Sequence, residues 1–134
     1  MGTGRGRKGQ SLVEFALVLP VLLLLLLGLL DLGRVWYALV AIRDCAGEGA
    51  TYAALHPLDE DGIQARAAAA SAGLIQVDPQ MVSVTYPPQV TPGASITVTV
   101  AYTFTFLNPL IGAMVPDSQI VLARAAAAAV IGSP

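Results

Sequence analysis

A single cysteine, a single histidine and few charges mark this sequence. Cys45 has no second thiol to meet, so an intrachain disulfide is excluded. It is no lipid attachment site either, because Arg43-Asp44 directly before it do not resemble a lipobox. The thiol reads as a small buried helix residue, with an intermolecular bridge as the lesser alternative. His56 stands beside Pro57, and Cys45 has no evident base. A hydrolytic triad or a metal site needs more than these, so the chain is not read as an enzyme and no catalytic residue, metal or cofactor is expected. Charged residues make up 12% of the chain, against roughly a quarter in ordinary soluble domains. The net charge is −2, yet Arg5, Arg7 and Lys8 all lie in the first nine residues. The chain after Gly9 is acidic, without the basic patch that a nucleic-acid partner would require.

The residues that are abundant are apolar and small. A length of 134 residues allows one small domain plus an anchor. Hydrophobic residues reach 55% and the mean hydropathy is +0.69, concentrated in residues 15–30 and in the Ala runs at 67–70 and 125–129. Residues 1–9 form a Gly-rich basic leader that cannot bury a core and reads as irregular chain in the cytoplasm. Its cations orient the apolar run with the N-terminus inside.

Residues 11–32 read as a membrane-embedded helix. The uncharged part, 15–30, is about 16 residues, or roughly 24 Å at 1.5 Å per residue, slightly short of a hydrocarbon core of about 30 Å. Adding residues 11–13 completes a span and places Glu14 near the inner boundary. Pro20 removes one backbone hydrogen bond and is expected to kink or loosen the helix. Gly28 and Gly33 allow a neighbouring helix to approach closely. A cleaved secretory signal fits poorly: the run exceeds an h-region of about 7–15 residues, and Asp31-Leu32-Gly33-Arg34-Val35-Trp36-Tyr37 stands where small residues should be.

The helix is expected to continue to Leu55. No Pro intervenes, and Leu29, Leu32, Trp36, Leu39 and Val40 recur near helical spacing. Asp31 and Arg34 can pair on the exposed side. Ala46, Gly47, Gly49, Ala50, Ala53 and Ala54 make one thin section, suited to packing on the domain's own sheet and to helix–helix packing in an assembly. His56-Pro57 ends the helix. Asp59-Glu60-Asp61 lack the spaced pattern of a calcium loop and read as a solvated turn and N-cap for an Ala-rich helix over 63–74. Residues 81–86 alternate as a strand. Thr91-Pro92-Gly93 suits a type II turn. Residues 95–106 form the clearest strand, with Ile96, Val98, Val100, Tyr102, Phe104 and Phe106 on its buried face and the threonines on the wet one. Residues 107–118 read as an apolar connection whose Leu110, Ile111, Met114 and Val115 either cap the core or touch a neighbouring subunit. The Ala-rich tail favours helix by propensity; Ile120-Val121-Leu122 and an available sheet edge favour a strand through about residue 127.

Chemistry concentrates at Gly9-Gln10-Ser11-Leu12-Val13-Glu14-Phe15. A peptidase at the inner membrane face needs a small, extended residue at the cut, and Gly9 after Lys8 supplies it. Cleavage would make Gln10 the new N-terminus and Glu14 the fifth residue, one helical turn away. A carboxylate in or beside lipid costs roughly 2.5–3.5 kcal/mol by analogy with a central Asp on insertion scales, so it seeks a cation. The new α-amine, its own or a neighbour's, is one partner. The other reading leaves Glu14 at the headgroups, favourably capping the helix N-terminus.

These residues resemble the prepilin-peptidase site of type IV pilin-like proteins. More closely, residues 9–55 resemble the TadE-like pseudopilins of the tight-adherence (Tad) pilus system. The matching words are Val13-Glu14-Phe15-Ala16-Leu17-Val18-Leu19-Pro20, Asp31-Leu32-Gly33-Arg34, Gly49-Ala50 and Tyr52-Ala53-Ala54-Leu55. The chain departs from that family at Gly47 and Thr51, where Arg is frequent, and in its Ala-rich tail. The resemblance implies processing between Gly9 and Gln10, an assembly role for Glu14 and Phe15, and work as a minor pilin or pseudopilin in an adhesive pilus. It implies a prepilin peptidase, the Tad assembly machinery, other pilin subunits and the membrane as partners. The expected fold is α+β and pilin-like: a leader at 1–9, a transmembrane and assembly helix at 10–55, and a head at 56–134 with a small antiparallel sheet and a short second helix. The expected location is the inner membrane, single-pass, with the head extracytoplasmic, and the cell surface after assembly. The rival reading is an accessory or binding protein anchored permanently in the membrane.

Overall fold

The computed structural model describes residues 5–71, 73 and 75–132, with side chains from Gly9 onward. One helix, α1 (Arg5–Leu55), runs unbroken through the apolar run and the small-residue section. It begins earlier than the composition suggests. The stretch from Arg5 to Gly9 is helical rather than irregular, and residues 1–4 lie outside the described residues. Extending an existing helix fixes one residue per added hydrogen bond, whereas nucleation is the costly step. The apolar helix therefore carries the end of the leader with it. Pro20 lies inside α1, which continues on both sides; Pro lacks the N–H that would bond the carbonyl of Ala16.

Past Leu55 the chain turns at His56-Pro57 and enters α2 (Glu60–Ala69). Its N-cap is Asp59, whose side chain accepts the Gly62 N–H at 3.0 Å. That cap starts α2 before the expected residue 63, and the helix ends before the expected residue 74. Of that remainder, residues 72 and 74 lie outside the described residues, and Gly73 has φ of 81°, which ends helical continuation. Ile63 and Ala67, four apart on one face, are both fully buried.

Three antiparallel strands come next, in the spatial order β1-β2-β3: β1 (Val82–Thr85), β2 (Ser95–Thr105) and β3 (Gln119–Ala129). Between β1 and β2, Gly93 has φ of 89° and Ala94 N–H donates to the Thr91 carbonyl at 2.9 Å, the turn that Thr91-Pro92-Gly93 demands. β2 is central. Val82 faces Val100 on one side, and Ile96 faces Ala128 on the other. The Ala-rich tail is thus a strand despite its helical propensity, because β2 offers it a full ladder of hydrogen bonds. The inward face of β2 is as expected: Ile96, Val98, Val100 and Phe104 are buried, and Tyr102 and Phe106 pack at the margin.

The core lies between this sheet, α2 and the second half of α1, which supplies Ala38, Ile42, Cys45, Ala46, Ala50 and Ala53. Small side chains let the sheet approach the helix axis. Gly49 shows how closely: a Cβ there would stand 2.9 Å from the Ala67 Cβ and 3.0 Å from Val98 Cγ1. The layout is α+β and pilin-like, a long N-terminal apolar helix with a three-stranded antiparallel sheet on its outer half.

The β2–β3 connection holds an element that its apolar composition conceals. α3 (Pro109–Met114) is a short helix capped by Asn108, whose Oδ1 accepts from Leu110 N–H at 2.9 Å and Ile111 N–H at 3.4 Å. Pro109 at the first helical position costs nothing there, since its missing N–H would be unpaired anyway.

Candidate functional site

The N-terminal half of α1 carries Gly9, Gln10, Glu14 and Phe15. Residues 9–23 are all exposed, and Phe15 is 62% exposed. Gly9 has nothing within 4 Å of a built Cβ. It is helical here rather than extended. A helical peptide bond is not presented to a peptidase cleft, so cutting would require local unwinding. Gly costs a helix interior about 1 kcal/mol relative to Ala, which makes this the cheapest place in the turn to unwind. Glu14 Oε1 accepts a hydrogen bond from Gln10 Nε2 at 3.2 Å. The fourfold spacing therefore brings Gln10 and Glu14 together across one turn, through the Gln10 side chain in the uncut chain.

A second polar constellation lies farther along α1, where sequence reasoning places only a surface pair. Asp31 and Arg34 do pair, with Arg34 Nη1 donating to Asp31 Oδ1 at 2.9 Å. The pair is not on the exposed side: Asp31 is 1% exposed. The head closes over it because the carboxylate satisfies backbone that nothing else reaches. Leu107 N–H donates to Oδ2 at 2.9 Å and to Oδ1 at 3.1 Å, and Asn108 N–H donates to Oδ2 at 2.7 Å. Asn108, also buried, donates from Nδ2 to the Leu24 carbonyl at 2.9 Å. Arg34 reaches the Thr105 carbonyl at 3.3 Å and lies over the Phe104 ring, 4.9 Å from its centroid. The end of β2 and the start of α3 are thereby fixed to α1 from Leu24 to Arg34. A Cβ added at Gly28 would stand 3.4 Å from Asn108 Nδ2, an ordinary contact, so this glycine faces the chain's own head. No buried side-chain nitrogen or oxygen lacks a partner among the described residues. Asn108-Pro109 inside an apolar connection is the one available sequence signal, an N-cap followed by an N1 proline.

The other singled-out residues have structural occupations. Cys45 is fully buried, and burial, reinforced by Asp44, pushes its thiol pKa up, the wrong direction for a nucleophile. The His56 ring stacks on Tyr52 with centroids 4.5 Å apart. Tyr52 Oη donates to Asp59 Oδ2 at 2.8 Å. That hydrogen bond, then the Gly62 N–H, holds the Asp59 carboxyl below the usual aspartate range. Among the described residues no group of three His, Cys, Asp or Glu side chains could hold a metal ion.

Along α1 the apolar residues Leu29, Leu32 and Trp36 are exposed at 66%, 66% and 72%. With Gly33, Val35 and Leu39 they line a shallow apolar groove beside the junction. Among the described residues α1 is the one helix long and apolar enough to cross a membrane. Residues 9–51 match the family model described as TadE-like protein. No curated protein and no solved structure matches the chain.

Proposed function

We propose that this chain, whose residues 9–51 match the TadE-like family model and so point to the Tad pilus system, is a minor pilin or pseudopilin that acts in assembling or decorating an adhesive pilus. The observation that carries this reading is the division of α1. One face of its second half is buried in the head, whereas residues 9–23 are exposed on every side. Such an apolar half-helix needs lipid before assembly and neighbouring subunits after it. Arg5, Arg7 and Lys8 hold the N-terminus in the cytoplasm, α1 crosses the inner membrane once, and the head stands outside. Prepilin peptidase cuts between Gly9 and Gln10 as that turn unwinds. Glu14, now one turn from the new amine of Gln10, pairs with it or with a neighbour's, and Phe15 packs beside it as subunits enter the filament with the Tad machinery.

Mass spectrometry of the assembled protein tests the processing step: the expected N-terminus is Gln10, and an intact leader in sheared fibres overturns it. In the same strains Glu14→Ala should insert normally, because losing a charge eases insertion, and should lower filament yield. An undiminished yield removes Glu14 from the assembly step.

The second reading, a permanently anchored accessory protein, is favoured by one observation: the Asp31–Asn108 junction holds the head against the outer part of the apolar helix. Recovery only in membranes, never in sheared fibres, would select it.

A further inference from the structure

The short helix α3 is fixed unusually deep along α1. Asn108, its cap, bonds the carbonyl of Leu24, well inside the uncharged stretch 15–30, and Asp31 holds the backbone of Leu107 and Asn108. The apolar exterior of α1 continues beyond Leu30 through Leu32 to Trp36, all exposed. From Phe15 to Trp36 is about 21 residues, or roughly 32 Å along the axis, which matches a hydrocarbon core of about 30 Å. The indole of Trp36 then stands where interfacial aromatic residues belong, and Glu14 stands at the opposite boundary. Within that frame Asp31 lies about 8 Å, and Leu24 about 18 Å, along the axis below Trp36. The cap of α3 is tied between these two levels.

The composition and exposure of the connection agree with that depth. No charged residue occurs from Leu107 to Pro116. Leu107 and Leu110 are each 58% exposed and Met114 is 86% exposed, so the apolar side chains of this element face away from the core. The buried side-chain groups that hold it in place, on Asp31 and Asn108, are internally satisfied. Asp31 accepts from two backbone N–H groups and from Arg34, and Asn108 caps α3 while donating to Leu24. That is the requirement lipid imposes, since no water is available there to complete a missing bond. Arg34, 37% exposed at its side chain, has the length to snorkel toward the headgroups. Asp117, exposed just after the segment, marks where it returns to water.

We propose that α3 is a membrane-interface wedge. Leu107, Leu110 and Met114 insert among the acyl chains of the head-side leaflet, beside the last turns of α1, and seat the head on the bilayer at a set height. The proposal rests on α1 spanning the membrane, and its test separates the two. The full chain, with Cys45→Ala, receives one nitroxide-labelled cysteine at a time by Leu22→Cys, Met114→Cys or Ala125→Cys. Each protein is reconstituted in vesicles of phosphatidylethanolamine and phosphatidylglycerol. Accessibility to molecular oxygen and to a water-soluble nickel chelate is then read by electron paramagnetic resonance. Met114 is the least packed of the apolar residues on α3, so labelling it removes no core contact. Ala125 is exposed and pairs with Thr99, roughly 20 Å of strand above Thr105.

The expected result is an oxygen-to-nickel ratio at position 114 close to that at 22 and several-fold above that at 125. A lipid-like ratio at 22 with a water-like ratio at 114 overturns the wedge and leaves the span intact. Water-like ratios at both overturn the span and the wedge together. Protection of 114 from both reagents, with dipolar broadening between labels, overturns lipid as the occupant in favour of a second copy of the chain.

Discussion

A Cβ added to Gly49 would press on Ala67 and Val98, whereas one added to Gly47 would meet nothing within 4 Å. These two glycines of one helix should therefore respond to alanine with opposite signs. Gly47→Ala gains up to about 1 kcal/mol of helix propensity. Gly49→Ala makes the same gain but overpacks the contact of α1 with α2 and β2, at about 1–3 kcal/mol. Chemical denaturation in detergent micelles should show a raised midpoint for the first and a lowered one for the second. Asp31 is the acceptor on which the junction depends. Asp31→Ala leaves the buried Leu107 and Asn108 N–H groups without an acceptor, at about 1–3 kcal/mol each, and takes the counter-ion from the part-exposed Arg34, which keeps the Thr105 carbonyl. Adding Arg34→Met should not restore stability, because the two backbone donors remain without an acceptor. Recovery in the double variant would mean that the ion pair, not the backbone, is what Asp31 serves.

At the scale of elements, α2 is tied to the end of α1 through Asp59. Its carboxylate caps α2 and accepts from Tyr52, and that bond both lowers the Asp59 pKa and raises that of Tyr52. The signs give two limbs. A depressed carboxylate contributes stability that is present above the unfolded aspartate pKa and is lost as pH falls through the folded one. A raised phenol contributes stability present below the unfolded tyrosine pKa and lost as pH rises through the folded one. Both groups lie at the surface, so the limbs should be shallow. Tyr52→Phe should remove its own share of the alkaline limb, leaving that of Tyr86, and weaken the acidic one, where the Gly62 bond remains, as followed by thermal midpoint against pH. Much of this element was legible in the chain: Asp59 before an Ala-rich run is a cap signal. α3 was not, because six apolar residues after Asn108-Pro109 show no periodicity, and what fixes them is an aspartate far away in the chain.

Among the described residues there is one core, and α1 contributes to it as fully as the sheet does. A fragment comprising residues 56–134 lacks Ala38, Ile42, Cys45, Ala46, Ala50 and Ala53, which cover the inner face of β2 and β3. It should show neither cooperative unfolding nor dispersed methyl resonances. A fragment comprising 24–134 keeps the junction and the core and should show both; a folded 56–134 fragment would contradict the single shared core. The order of charge and hydropathy along the chain sufficed for the long apolar helix, the buried face of β2 and the buried Cys45. Each is a local pattern, read from residues no more than a few turns or one strand apart. The strand state of the Ala-rich tail needed its partner, because propensity alone favours helix and only the ladder on β2 reverses it. Asp31 needed the tertiary structure altogether. Its spacing to Arg34 is visible, but its burial comes from N–H groups on Leu107 and Asn108, 76 and 77 residues away. A carboxylate goes inside only where donors wait to receive it, and no local pattern near Asp31 says that they do.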